Sequence, residues 1–322
     1  MNRITKTAVA AALVLTSAVS TACSPRDTAG KGLKPVVRLA KGVDPSFTPV
    51  YVAAEKGLFA KHGVDVEYVT TEGGPTMTQA VIAGEAQVAT QSDATTLTLM
   101  AANPGLRALV PFESSSTYIK VVFGKGVKKP QDIKKMGAIP GVATLATVRY
   151  LESKGIKPDT VDLVEATPPD VPTLLKRGDI DATVIYEPWA TRAAKESGGS
   201  VVGNIGDFGL SYSQWLVTDE KWLGANQQAA AGVAAAIEEA NKYVTEHPQD
   251  AAAITEKAIK IPQAQTLGIL RELKFSMQDF TDADLAQAKR SADFFVQRGT
   301  IKSTPDIGTN VLRGWYTEHV EH

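Results

Sequence analysis

From Pro35 onward the chain alternates short β-branched runs with helical stretches, and this rhythm limits the fold more than any other feature. VVRLA (36–40), VDVEYV (64–69), AQVAT (86–90) and RALVPF (107–112) read as strands, separated by helices over 48–60, 75–83 and 94–102. Strands joined by helices of this length predict parallel βαβ units. YIKVVF (118–123) breaks the rhythm, because it follows the previous strand with no helix between. A second α/β unit then runs through a helix at 130–136, a short strand at 137–139, a helix at 142–154, VDLVE (161–165), a helix at 169–177, DATVIY (181–186) and a helix at 188–196. After the strand SYSQWLV (211–217) the chain reads as helical to its end, over 226–246, 250–258, 263–273, 281–297 and 308–319. Pro248, Pro262 and Pro305 punctuate those helices.

At 322 residues the chain can hold two domains. Its net charge of −1 gives no electrostatic basis for binding nucleic acid or an acidic membrane surface. The first 22 residues carry a different message. Arg3 and Lys6 precede an apolar run over 8–15 and the small residues Ser20, Thr21 and Ala22, the layout of a secretory signal peptide. The apolar run is shorter than the ~20 residues a membrane-spanning helix needs. Cys23, the single cysteine, follows at once, so no internal disulfide is open to it. A thioether-linked lipid anchor on Cys23 explains its place, with the polar, glycine-containing stretch through residue 34 as a flexible tether. VSTAC resembles a lipoprotein signal, although Ser20 stands where leucine is usual.

In open parallel sheets ligands bind beyond the carboxyl ends of the strands. The segments at those ends are 45–48, 71–75, 91–95, 112–115, 140–144, 167–170 and 187–189. Gly73, Gly74 and Gly141 let backbone N–H groups approach a ligand where helices begin. Ser46, Gln91, Ser92 and Thr144 add hydrogen-bonding groups. The acids are Asp93, Glu113, Asp170 and Glu187, and no Arg or Lys stands in these loops. Each acid also stands where it could cap a helix or end a strand. An acid-rich, cation-free cleft suits a ligand with N–H donors or a positive amine. Phe47, Phe112, Trp189 and Tyr212 could form an aromatic wall for a ring or a quaternary amine. Glu113 is the favoured acid, since it stands where the helix-free junction begins.

Five stretches together resemble the substrate-binding proteins of ABC importers, in the family that serves nitrate, alkanesulfonates, taurine and thiamine pyrimidine precursors. They are TPVYVAAEKGLFAKHGVDVEYV, QAVIAGEAQVA, KKPQDIKKMG, LLKRGDIDATVIYEPWA and ADFFVQRGTI, in that order between residues 36 and 301. The resemblance implies a type II periplasmic-binding-protein fold: two α/β lobes joined by two crossing strands, with C-terminal helices and a ligand in the interlobe cleft. It places lobe one at 35–113 plus 217–322 and lobe two at 114–216, with crossings near Glu113–Tyr118 and Asp207–Leu216. It also implies membrane permease partners, a monomer and a cell-surface location. The ligand expected first is amine-bearing or zwitterionic, such as an amino sulfonate or aminopyrimidine; a plain sulfonate or nitrate-like anion comes second. The same fold serves a fungal branch that makes a pyrimidine at a cysteine-rich iron site. One cysteine at a lipidation position departs from that pattern, and no catalytic motif is present, so a binding protein without cofactor or metal is the expectation.

Overall fold

Burial along each strand follows its composition. VATQS (β3, Val88–Ser92) is buried at every residue, as a central strand with both faces covered must be. DVEYVT (β2, Asp65–Thr70) is mostly exposed and carries its charges at a sheet edge, where they discourage pairing with other chains. The computed structural model describes residues 34–71 and 73–320. The signal segment, Cys23 and all of the tether except Lys34 lie outside the described residues.

Two sheets organise the chain. Besides β2 and β3, the first contains β1 (Val36–Lys41), β4 (Leu106–Ser115), β10 (Tyr212–Asp219) and β11 (Lys274–Phe275), in the order β11-β4-β10-β3-β1-β2. The second contains β5 (Ile119–Phe123), β6 (Lys135–Ala138), β7 (Asp162–Glu165), β8 (Ala182–Tyr186) and β9 (Ser200–Asn204), in the order β7-β6-β8-β5-β9. The chain passes from the first sheet to the second between β4 and β5, and returns between β9 and β10. This is the two-sheet arrangement of a periplasmic binding protein, with helices completing the C-terminal part.

The predicted parallel pairing holds for β1 with β2 and β3, and for β6 with β7 and β8. It fails beside the two passages, where β10 runs antiparallel to β3 and β4, and β5 antiparallel to β8 and β9. A strand that arrives directly from the other layer has no crossover helix to set its direction, so it enters from the opposite end. Three elements are absent from the sequence reading: β9, β11 and the helix Glu220–Ala225. SVVGN (β9) is a mostly exposed edge strand that buries too little to show a pattern. The helix expected over 263–273 stops at Leu270, and that expected over 308–319 is two pieces, Ile307–Asn310 and Trp315–His319, parted by Gly314 at φ +81°.

Phe47, Leu39, Leu97, Phe112, Phe280 and Phe295 are among the largest fully buried side chains. The alanine-rich helix Gln227–Glu246 is small-faced for a reason. A Cβ on Gly232 would sit 2.5 Å from the His62 carbonyl oxygen, so the helix backbone lies almost against the neighbouring chain.

Candidate ligand cleft

The carboxyl ends of β1, β2, β3, β6 and β8 converge between the sheets around a cavity of ≈ 50 Å³. The first layer contributes Asp44, Ser46 and Phe47 after β1, Gly73, Gly74 and Met77 after β2, and Gln91, Ser92 and Thr95 around the end of β3. The second contributes Ile139, Pro140, Val142 and Ala143 after β6, and Tyr186 closing β8. Tyr118, Ile119, Tyr212 and Gln214 come from the crossings and the strands that adjoin them. A single water needs about 10–15 Å³ of such space, so the cavity fits a small solute only.

Asp44 anchors one wall. Its Oδ1 accepts from the Ser46 amide at 2.9 Å, the Ser46 hydroxyl at 2.6 Å and the Tyr118 hydroxyl at 2.8 Å. The single Tyr118 proton is shared between Asp44 and the Glu187 carbonyl, 2.6 Å away, so one hydroxyl touches both layers. Burial pushes the Asp44 carboxyl up, against the pull of these hydrogen bonds and of the Lys41 charge. Lys41 itself packs over the rings of Tyr51 and Tyr68, at 4.8 and 5.6 Å from their centroids, and does not line the cavity.

Three tyrosines line the cavity beside Asp44. Tyr118 stacks between Tyr186 and Tyr212, with centroids 6.1 and 5.8 Å apart. The Tyr212 hydroxyl donates to Glu113 Oε2 at 2.8 Å. Gln91 donates to the Gly74 carbonyl at 2.8 Å and accepts from the Ser92 amide at 2.9 Å, which fixes its amide against the glycine turn. Gln214 donates to Ser46 Oγ at 3.4 Å, while its own Oε1 is buried with no hydrogen-bond partner.

The layers meet at two glycines. A Cβ on Gly141 would sit 2.0 Å from Thr95 Oγ1, and one on Gly73 would sit 3.0 Å from the Tyr186 hydroxyl. Both glycines have positive φ, +97° and +101°. Among the described residues, the lining contains one carboxylate, several neutral acceptors and no Lys, Arg or His. Such a surface receives hydrogen-bond donors or a positive group far better than a bare anion.

Of the residues expected at the site, Ser46, Phe47, Gly73, Gly74, Gln91, Ser92 and Tyr212 line this cavity, and Gly141 stands at its edge against Thr95. Asp93 and Glu113 instead line a second, larger cavity of ≈ 430 Å³, which shares Tyr212 with the first. Phe112 is buried in the core, and its carbonyl accepts from Asn241 at 2.8 Å. The Thr144 hydroxyl is spent on the Ile139 carbonyl at 2.7 Å. Asp170 is exposed and accepts from the Thr167 hydroxyl. Glu187 caps the helix Trp189–Ser197 through the Thr191 amide and hydroxyl, at 3.0 and 2.8 Å. Trp189 lies on an outer groove with Arg192 over its ring at 5.4 Å. Asp44, Tyr118, Tyr186 and Gln214 were not among the expected residues. The available signal for Asp44 was its place directly before Pro45 and Ser46, the pattern of a capped turn. Among the described residues, no group of His, Cys, Asp or Glu is placed to hold a metal ion.

A protein of Brucella abortus (strain 2308) is 27% identical, over 83% of this chain and 86% of its own. The taurine-binding periplasmic protein of Escherichia coli (strain K12) is 25% identical, over 53% of this chain and 56% of its own. The crystal structure of the periplasmic aliphatic sulphonate binding protein SsuA from Escherichia coli superposes with a TM-score of 0.76, covering 88% of this chain and 99% of that one at 17% identity, a likeness of fold. The NMT1/THI5-like family model matches residues 44–251, through both sheets and the cavity between them, and the chain belongs to that family.

Proposed function

We propose that this chain is the extracytoplasmic solute-binding component of an ABC importer, and that it captures a small amine-bearing or zwitterionic molecule between its two layers. The lining carries this reading: Asp44 and the unpartnered Gln214 Oε1 face a cavity with three tyrosine rings and no cationic side chain. An ammonium beside a carboxylate and over ring faces gains both a charge-assisted hydrogen bond and cation–π attraction. An amino sulfonate meets this requirement and also fits the names of the taurine- and sulphonate-binding relatives. Those names also support a second reading, a plain sulfonate or nitrate-like anion held by backbone amides at Gly73 and Gly74. In either case the solute enters an open form and is enclosed as the layers close, and the closed form engages the permease subunits. The protein works as a monomer, binds without chemical conversion, and needs no cofactor and no nucleic acid.

Native mass spectrometry of protein purified without denaturation should show a small co-purified molecule with a basic nitrogen. Titration with taurine, ethanesulfonate and an aminopyrimidine should then favour the amines. A bound ligand at a hundred times its Kd stabilises the native state by about 2.7 kcal/mol, so melting temperature follows binding. Binding of ethanesulfonate alone would move the assignment to the anion reading, and turnover of a bound compound would move it to an enzyme.

The anchor on Cys23 belongs to the same proposal, resting on the cysteine's position behind the signal segment. Cys23→Ser should shift the protein from the membrane fraction to the soluble one. A wild type already wholly soluble after fractionation would rule the anchor out.

A further inference from the structure

Glu113 and Asp93 both line the larger cavity, and among the described residues neither has a cationic partner. Glu113 is 1% exposed; beyond the Tyr212 hydroxyl on Oε2, its Oε1 is buried without any hydrogen-bond partner. Asp93 is 6% exposed and accepts from the Ala94 amide at 2.7 Å and from the backbone of Ser213. Tyr212 and Ser213 are the first two residues of the strand that returns from the second layer. Both hinge carboxyls are thus fastened to the point where the chain re-enters the first sheet.

The charges around them are mostly negative. Asp44 and Asp93 face Glu113 from the ends of β1 and β3, and Asp284 faces Asp93 from the helix Asp282–Gln297. On the cavity rim Glu272 is already taken by Lys120 at 2.6 Å, and Lys274 is exposed to solvent. Two buried carboxyls with no cation between them cannot both ionise cheaply. Burial is the largest cause for both; for Glu113 the Tyr212 hydrogen bond pulls the other way and Asp44 and Asp93 then add to the rise, which leaves Glu113 well above the usual range and Asp93 at about 7. The ring of Tyr212 lines the ligand cavity while its hydroxyl bonds Glu113, so one side chain belongs to both places.

We propose that the Glu113–Asp93 pair holds an exchangeable proton, and that a cationic group entering the ligand cavity displaces it, with Tyr212 joining the two events. The inference rests on the amine reading of the cleft. On displacement the carboxyl O–H bond breaks, its electron pair stays on oxygen, and the proton leaves to solvent through the serine-rich hinge cavity bounded by Ser114, Ser116 and Ser213. The carboxylate left behind accepts more strongly from Tyr212, which steadies the ring against the ligand. The coupling is reciprocal: if the ligand expels a proton, raising the pH tightens the ligand.

The test is calorimetric titration of the intact protein with taurine and an aminopyrimidine from pH 6 to 8, in buffers of different ionisation enthalpy. Wild type should release up to about one proton per ligand, with Kd falling by up to about tenfold per pH unit through this window. The double variant Glu113→Gln, Asp93→Asn should release fewer protons and show a flatter profile, any remainder coming from Asp44; the single Glu113→Gln serves if the double does not fold. Ligand-free melting gives a second readout. An acid raised in the native state makes stability fall as pH rises through its folded value, here about 7 for Asp93. The wild-type melting temperature should therefore drop from pH 6 to 8 more steeply than that of the variant. Amine binding with equal proton release in wild type and variant overturns the hinge proposal alone. Binding of neither amine overturns the cleft reading and the displacement together.

Discussion

Gly141→Ala will weaken solute binding by about fivefold to more than a hundredfold while leaving the protein folded. The added Cβ meets Thr95 Oγ1 at 2.0 Å, well inside van der Waals contact. Thr95 cannot swing aside freely, since it is 3% exposed and its hydroxyl is held by Ser92 at 2.9 Å. Overpacking of this kind costs about 1–3 kcal/mol, and each 1.4 kcal/mol is about tenfold in affinity. Under the proposed closure the cost falls on the closed arrangement, where Gly141 meets Thr95, and spares an open one. Alanine at φ +97° also strains the backbone by about 1–3 kcal/mol in either arrangement, which shows as a lower melting temperature and not as lost affinity. A second substitution separates the two effects. Thr95→Ala removes the oxygen, leaves the next contact at 3.2 Å, and should restore much of the affinity to Gly141→Ala without restoring its stability. Equal affinity of wild type and Gly141→Ala by calorimetry would show that binding does not require this contact.

Asp44→Asn will separate the ligand classes. The substitution keeps an oxygen for the Ser46 and Tyr118 hydrogen bonds and removes the charge. A hydrogen bond to a charged group is worth about 1.5–3 kcal/mol net, so an amine ligand should lose about tenfold to a hundredfold in affinity. A plain anion should bind as well or better. Stability moves the other way. Burial raises the Asp44 carboxyl, so wild type loses stability as pH rises through the folded value, and Asn has no such loss. The melting temperature at pH 8 should be equal or higher in Asp44→Asn. Undiminished amine affinity in this variant would remove Asp44 from the ligand's surroundings.

Much of the fold is legible from the chain because burial pattern and composition agree. β3 is buried throughout and reads as continuous, and the glycine turn at Gly73–Gly74 ends its strand where a parallel βαβ unit requires. The same logic locates Ser46, Phe47, Gln91 and Ser92 beside the cavity, since strand ends converge there. It does not tell which way a strand residue points at a crossing. Glu113 stands opposite Gln214 across β4 and β10, yet Gln214 lines the cleft cavity and Glu113 the larger one, with Tyr212 lining both. Asp44 escapes for a different reason: the strand ends at Lys41, and the turn that brings Asp44 back over the cleft is closed by Tyr118, 74 residues later. Glu187 reads as a ligand-facing acid from its place after β8, but the Thr191 amide and hydroxyl take its carboxylate as a helix cap.

The position of β10 between β3 and β4 has a consequence in time as well as in space. β3 and β4 do not pair with each other, so until residues 212–219 take their place the first layer consists of two separate ribbons, β3-β1-β2 and β4-β11. All five strands of the second layer, by contrast, lie in one unbroken stretch from Ile119 to Asn204. That layer can be completed from its own segment, whereas its partner must join chain ends separated by the whole of it, and long-range pairings of this kind form slowly. The strand that carries Tyr212 and Gln214 into the cleft is thus the keystone of the first layer, and the binding surface is incomplete until that strand is in place.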